Sequence, residues 1–290
     1  MKTPLPAGTK PVLRFTRFVF MASVGFASVA GIQLYVLTEH TDQYFAWTIN
    51  QPLSAAFLGS VYWSGAALFA VALTEQAWSH VRIAVAAVGS FVALMLVTTL
   101  LHLDRFHLQA KDPQPFLAAW IWMVVYVVFP TLLLAAIVVQ GRAPGSDPPR
   151  AAPLSAVVRG ALAINAIFSL LVCLALFFTP EALFPLWPWQ LTVLTARAVG
   201  CGFLVIAAGS FQMLRENAWE RDRVGGISYL VFGLLQLLAL ARYAGDVEWS
   251  RPATWVYLFF MGTVVYGGIY LILHTWGPLA PRTKLAKLEV

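Results

Sequence analysis

Eight predominantly apolar runs punctuate the chain, at residues 18–37, 53–73, 82–103, 116–139, 156–178, 192–214, 224–243 and 253–274, and short polar stretches separate them. A transmembrane helix needs about 20 such residues to cross the hydrocarbon core. Inside lipid the backbone must satisfy its own hydrogen bonds, which helices do and open strands do not. The pattern therefore predicts an all-α, polytopic membrane protein with eight transmembrane helices. A polar, basic leader with Lys2, Lys10, Arg14 and Arg17 precedes the first run, and Ser28-Val29-Ala30 offers a small-residue cleavage site of the signal-peptide kind. The apolar run continues past that site, so it is read as a retained first span.

The runs divide into two sets of four. An aromatic, proline-rich approach leads into the second run at Thr41 to Gly59, and a similar approach recurs at Leu183 to Gly200. Leu53 and Leu194, Gly59 and Gly200, Glu75 and Glu216, Ala77 and Ala218, Trp78 and Trp219, and Arg82 and Arg223 all share one offset of 141 positions. Residues 1–139 are expected to form a first four-helix transmembrane repeat and 156–274 a second. A Pro- and Gly-rich cytoplasmic linker at 140–155 joins them, and a basic cytoplasmic tail follows at 275–290. With an even number of spans each, the two repeats run parallel across the membrane.

Composition agrees: 60% of the residues are hydrophobic and 11% charged, where soluble domains carry about 25% charged residues. The net charge of +6 does not point to nucleic acid, because the basic residues sit in short loops beside the spans. With the N-terminus inside, 14 of the 19 Lys and Arg lie on the inner side and five, Arg105, Lys111, Arg197, Arg242 and Arg251, on the outer. This excess places both termini in the cytoplasm. Tyr44, Trp47, Trp187, Trp189, Trp249 and Trp255 fall at the outer boundary and Trp78, Trp219 and Trp276 at the inner, as in the aromatic belts that anchor spans at headgroup level. Ser23, Ala27 and Gly31 offer a small-residue face for close helix contact. Cys173 and Cys201 lie within spans and read as packing residues.

Candidate chemistry is sparse. The outer stretches 41–52 and 181–190 are too apolar for ordinary loops and too short to span, so they are read as interfacial or re-entrant segments. Asp42, Trp47 and Trp189 would then sit at the lips of an outward, ligand-binding pocket between the halves. Arg197 lies about one turn into a span, where an ionisable residue is a functional candidate. It could grip a carboxylate or lipid phosphate, or pair with Asp42 or Glu39, or snorkel to the surface. On the inner side Glu75 and Arg82, and likewise Glu216 and Arg223, are spaced to form a structural ion pair within each repeat. His102, Asp104 and His107 are the densest set of metal-ligand types, suited to a divalent metal if the chain turns there. The i to i+5 spacing of the two histidines puts them on different faces of a continuous helix. The sequence names no cofactor: the histidines cluster at span ends, and it carries no Gly-rich phosphate loop, GxSxG or HExxH.

The phrases YFAWTINQPLSAAFLGSVYW, LLHLDRFH and WPWQLTVLTARAVG resemble those of uncharacterised bacterial multi-pass membrane proteins, over most of the chain. The resemblance implies a bacterial inner-membrane location and no activity. Three readings follow. The leading one is a non-enzymatic membrane protein binding a lipid-like or quinone-like small molecule between its repeats. The second is a transporter of a weakly polar or amphiphilic solute, with Arg197, Asn165, Ser169 and Gln33 around a cavity. The third is a membrane metal or redox enzyme in which His102, Asp104 and His107 converge. A tightly packed seam between the repeats favours the first, a through-going cavity the second and convergent outer ligands the third.

Overall fold

Prolines mark where several of the helices begin. Pro52, Pro113 and Pro252 each open a long helix, where a missing N–H costs nothing and the ring pre-sets the backbone. The computed structural model describes residues 6–150 and 152–276. Its long helices are α1 (Arg14–Gly31), α2 (Pro52–Ala72), α3 (Arg82–Leu101), α4 (Pro113–Gly141), α5 (Ala156–Phe178), α6 (Val193–Glu216), α7 (Arg223–Arg242) and α8 (Pro252–Thr275). A π-helical turn, Ile32–Val36, prolongs α1. Thr192 starts α6 through a capping box with Thr195, which satisfies two otherwise orphaned backbone donors. Asn217 ends it in the left-handed conformation at φ 44°, a position Asn tolerates better than most residues. All eight helices are long and apolar enough to cross a membrane, and the chain is a multi-pass membrane protein. Among the described residues, strand-like pairing is limited to isolated bridges.

The eight helices form two shells. In their most apolar windows α2, α3, α6 and α7 bury 67, 50, 72 and 56% of residues, whereas α1, α4 and α5 bury 28% and α8 33%. Association in lipid depends on close backbone approach, and the inner helices supply small residues for it. A Cβ added to Gly59 would lie 2.7 Å from Tyr35 on the end of α1, and one on Gly202 of α6 would lie 2.5 Å from the Phe57 ring of α2. The inner shell is built largely across the halves: α2 packs along α7 and α3 along α6, while α2 barely touches α3. The outer helices then lean on inner ones, α1 on α2, α4 on α3, α5 on α6 and α8 on α7. Exchanging the two sets of four helices carries this pattern of contacts onto itself.

All the connections fall on two sides. One, here the basic side, holds residues 6–13, 73–81, 142–150 and 217–222; the other, the far side, holds residues 37–51, 102–112, 179–192 and 243–251. On the basic side α4 runs two residues past its expected end at Val139, because Gln140 belongs to the bundle and not to a linker. Its buried amide accepts from Leu13 N and Thr16 Oγ1, both at 3.1 Å, and donates to Pro11 O at 2.6 Å. The linker beyond it is pinned, with Lys10 N donating to Ser146 O at 2.9 Å. The expected tail lies outside the described residues apart from Thr275 and Trp276.

The far-side stretches turn several of their large rings inward. Trp47 and Trp189 are each only 1% exposed and fill the ends of the bundle, so they are not lips of an open pocket. Trp47 packs with Phe45, Phe106 and Trp122. Trp189 packs with Trp187 and Tyr257 and donates to Ser54 Oγ of α2 at 2.9 Å. Of the aromatics expected at the boundaries, Tyr44, Trp249, Trp255 and Trp276 are exposed, whereas Trp47, Trp78, Trp187, Trp189 and Trp219 are buried. Burial of large rings beats interfacial anchoring where the chain folds back over the bundle.

Candidate functional site

One apolar space lies mainly in the first half. A pocket of about 310 Å³ opens among α1, α2, α3 and α4, with Val205 of α6 and Ser228 of α7 also lining it and walls that are almost wholly apolar. It exists because α1 and α4 touch only sparsely, and because Ala27, Ala30 and Gly65 put little bulk into the space between them. Phe26, Val29 and Ile121 stand at its rim on the exposed face of the bundle, so it opens sideways toward lipid. Ser23 and Gln33 line it too, but Ser23 Oγ donates to Val19 O at 2.7 Å and Gln33 Nε2 to Tyr44 O at 2.7 Å.

Its polar feature is a pair of hydroxyls. Tyr62 of α2 and Tyr126 of α4 hydrogen-bond each other. Two phenols bring two protons, and one bridging bond uses one of them. The other proton has no acceptor among the described residues. Trp122 stacks on Tyr126 with ring centres 4.3 Å apart, and its Nε1 donates to Thr99 Oγ1 at 3.0 Å. The ring is locked and the hydroxyl edge is held in place. These residues were missed by sequence reasoning; the signal available was two tyrosines in the middle of apolar runs, where a phenol needs a partner.

Midway along the helices the space between the halves is small. At the seam, Val61 and Ser64 of α2 meet Gly202 and Ile206 of α6 and Ser228 and Phe232 of α7, leaving about 20 Å³, room for about one water molecule. That part of the seam is closed to a ligand, and the apolar pocket beside it is lined mostly by the first half. A second, broader depression of about 650 Å³ lies between α5 and α8 in the other half, with Asn165 and Tyr229 on its walls. Ser169 Oγ donates to Asn165 Oδ1 at 3.4 Å, and Asn165 lines this depression without Gln33 or Arg197.

Arg197 pairs with neither Asp42 nor Glu39. Its Nε donates to Phe177 O at 3.1 Å and a terminal nitrogen donates to His102 Nε2 at 2.8 Å, with the guanidinium 5.7 Å from the Phe177 ring centre. Asp42 stays exposed on the far side. Burial, and then the Arg197 charge, hold the His102 pKa below its ordinary value. The neutral ring this favours offers the lone pair that Arg197 needs.

That pairing also separates the three metal-ligand candidates. His102 Nε2 is spent on Arg197. Asp104 is exposed and pairs with Arg105 at 3.1 Å. His107 turns back to the 41–52 stretch, where Nδ1 donates to Phe45 O at 3.0 Å and Nε2 lies 3.0 Å from Thr48 Oγ1. Among the described residues no group of three or more His, Cys, Asp or Glu is placed to hold a metal ion. The two cysteines are buried and free.

On the basic side the four expected ion-pair residues meet, but with exchanged partners. Arg82 bonds Glu216 at 2.8 Å and Arg223 bonds Glu75 at 3.3 Å, so each pair crosses the halves. The physical reason is the packing: the start of α3 lies beside the end of α6, and the start of α7 beside the end of α2. No protein-family model, curated protein or solved structure matches the chain.

Proposed function

We propose that this multi-pass membrane protein binds an apolar, lipid-like or quinone-like molecule in the pocket of its first half, entering from the bilayer between α1 and α4. The observation that carries the reading is the Tyr62–Tyr126 pair: a hydroxyl edge with one uncommitted proton, set in an otherwise apolar, laterally open pocket. Apolar walls with a few placed polar groups are what small-molecule sites share. A donor at the edge suits a carbonyl oxygen on a hydrocarbon body. As part of the same reading, the chain is two parallel four-helix repeats in a bacterial inner membrane with both termini cytoplasmic. The shared offset, the exchangeable helix contacts and the Lys/Arg bias support it.

Gly65 provides the test. It lines the pocket, and a Cβ built on it meets nothing within 4 Å, so Gly65→Phe fills the space without a first clash. Gly262 has equal room on the exposed face of α8, and Gly262→Phe is the control. Protein purified gently from its own membrane should retain a defined apolar molecule in native mass spectrometry. Gly65→Phe should lower its occupancy about tenfold, equivalent to about 1.4 kcal/mol, and Gly262→Phe should not. Unchanged occupancy in a well-folded Gly65→Phe protein would sink the proposal.

A further inference from the structure

A different pocket, on the basic side, has the opposite character. Where the start of α3, the end of α6 and the 142–150 linker meet, a polar space of about 550 Å³ is lined by Arg82, Arg150, Arg215 and Arg221, with Asp147 and Glu216. Both carboxylates are committed. Glu216 bonds Arg82 and Arg221, each at 2.8 Å, and Asp147 lies 2.8 Å from Arg82 and 3.9 Å from Arg221. Arg150 and Arg215 are exposed and, among the described residues, have no carboxylate within 4.0 Å. Arg150 reaches across only to the backbone, at 3.4 Å from Arg215 O. Four guanidiniums against two carboxylates leave two positive charges unanswered. Arg221 is 4% exposed and its Nε has no partner in the pocket wall, and the same holds for Arg82 Nε.

Part of the wall is apolar. Val85 and Ala86 of α3 and Ile137 of α4 complete the pocket, and Ile137 is exposed on the outer face of the bundle. One end of the space therefore wants an anion and the other runs onto the lipid-facing surface. Guanidinium groups suit phosphate oxygens because their planar N–H forks match them in pairs. Basic pockets between helices at a membrane boundary recognise anionic headgroups for this reason.

We propose that this pocket binds the phosphate group of an anionic phospholipid headgroup, with Arg150 and Arg215 closing on it and the acyl chains lying along Val85 and Ile137. The site is independent of the apolar pocket. The test uses the full chain in phosphatidylcholine nanodiscs, in phosphatidylcholine–phosphatidylglycerol nanodiscs, and in phosphatidylcholine nanodiscs with inorganic phosphate. The readouts are Tm and the lipid retained in native mass spectrometry. Arg150→Gln/Arg215→Gln removes the two unanswered charges and leaves the Arg82–Glu216–Arg221 pairs intact. Arg14→Gln/Arg159→Gln removes the same charge from exposed residues outside the pocket.

Phosphatidylglycerol should raise Tm and be retained by the parent, and the pocket pair should lose about tenfold of that retention while the control pair keeps it. A Tm rise with inorganic phosphate alone, lost in the pocket pair, would support the pocket and assign it to the free ion, overturning the lipid. Full retention in the pocket pair, or equal loss in the control pair, would overturn the site.

Discussion

Glu75 and Glu216 stand in matching words of the sequence, each with Ala-Trp two and three residues on and an arginine seven residues on, yet they live in different surroundings. Glu216 is enclosed by permanent partners: Arg82 and Arg221 at 2.8 Å, and Gln212 Nε2 at 2.8 Å. Glu75 has His80 Nδ1 at 2.9 Å and the more distant Arg223 at 3.3 Å. Beside Glu216 a further acid is buried, Asp222, where the first half has Val81; both are fully buried, and neither carboxyl oxygen of Asp222 has a hydrogen-bond partner among the described residues. A shared motif thus sets where a charge sits, and neighbours from elsewhere in the chain set what it does there. The crossed pairs also join the helix ends whose bodies pack most closely across the halves, α2 to α7 and α3 to α6. Electrostatics and packing interlock the same elements.

The sharpest way to break this comparison is to neutralise each glutamate. Glu216→Gln strands Arg221, which is almost wholly buried, and should cost about 3 kcal/mol in reversible unfolding from mixed micelles, the scale for removing one partner of a buried pair. Glu75→Gln should cost about 1 kcal/mol, since Arg223 is partly exposed and exposed pairs contribute little. Equal losses would erase the distinction between the sites.

A double-mutant cycle tests the exchange of partners. Glu75→Gln with Arg223→Gln should show a coupling of about 1 kcal/mol, and Glu75→Gln with Arg82→Gln should be additive to within about 0.5 kcal/mol. The reverse result would restore pairing within each half.

The smallest effect is a difference in the sign of pH dependence. Burial opposes the charged form of Glu75, but the hydrogen bond and charge of His80 and the charge of Arg223 outweigh it and hold its pKa below the ordinary 4.5. Its contribution is present above that value and is lost as pH falls through the folded pKa. Asp222 runs the other way: burial first, then Glu216 and Glu220, push it well above 3.8 against the pull of Arg221. The folded state keeps a proton that the unfolded chain releases, so stability declines as pH rises from the ordinary Asp value toward the folded one. Asp222→Asn should therefore gain on the parent across the range above the ordinary Asp value, whereas the penalty of Glu75→Gln should shrink only as pH falls below the ordinary Glu value. A flat Asp222→Asn difference across that range would contradict the buried, protonated acid.

What the sequence determined by itself is local. Twenty-residue apolar runs specify helices in lipid whatever surrounds them, and prolines and a Thr-x-x-Thr box fix several starts within a residue or so. The expected spans therefore match α1 to α8 closely, and a boundary position for Glu75, Arg82, Glu216 and Arg223 could be read from their distance to those runs. What only the tertiary structure decided is partnership. Arg82 and Glu216 are 134 residues apart and Arg223 and Glu75 148. Arg197 chooses His102 over Asp42, Trp47 and Trp189 turn inward, and the apolar pocket is lined mostly by one half. Each of these depends on which helix face meets which, and the spans are so uniformly apolar that no stripe of polar positions announces it. Hydropathy selects the solvent for a helix, and shape and small residues select its neighbours.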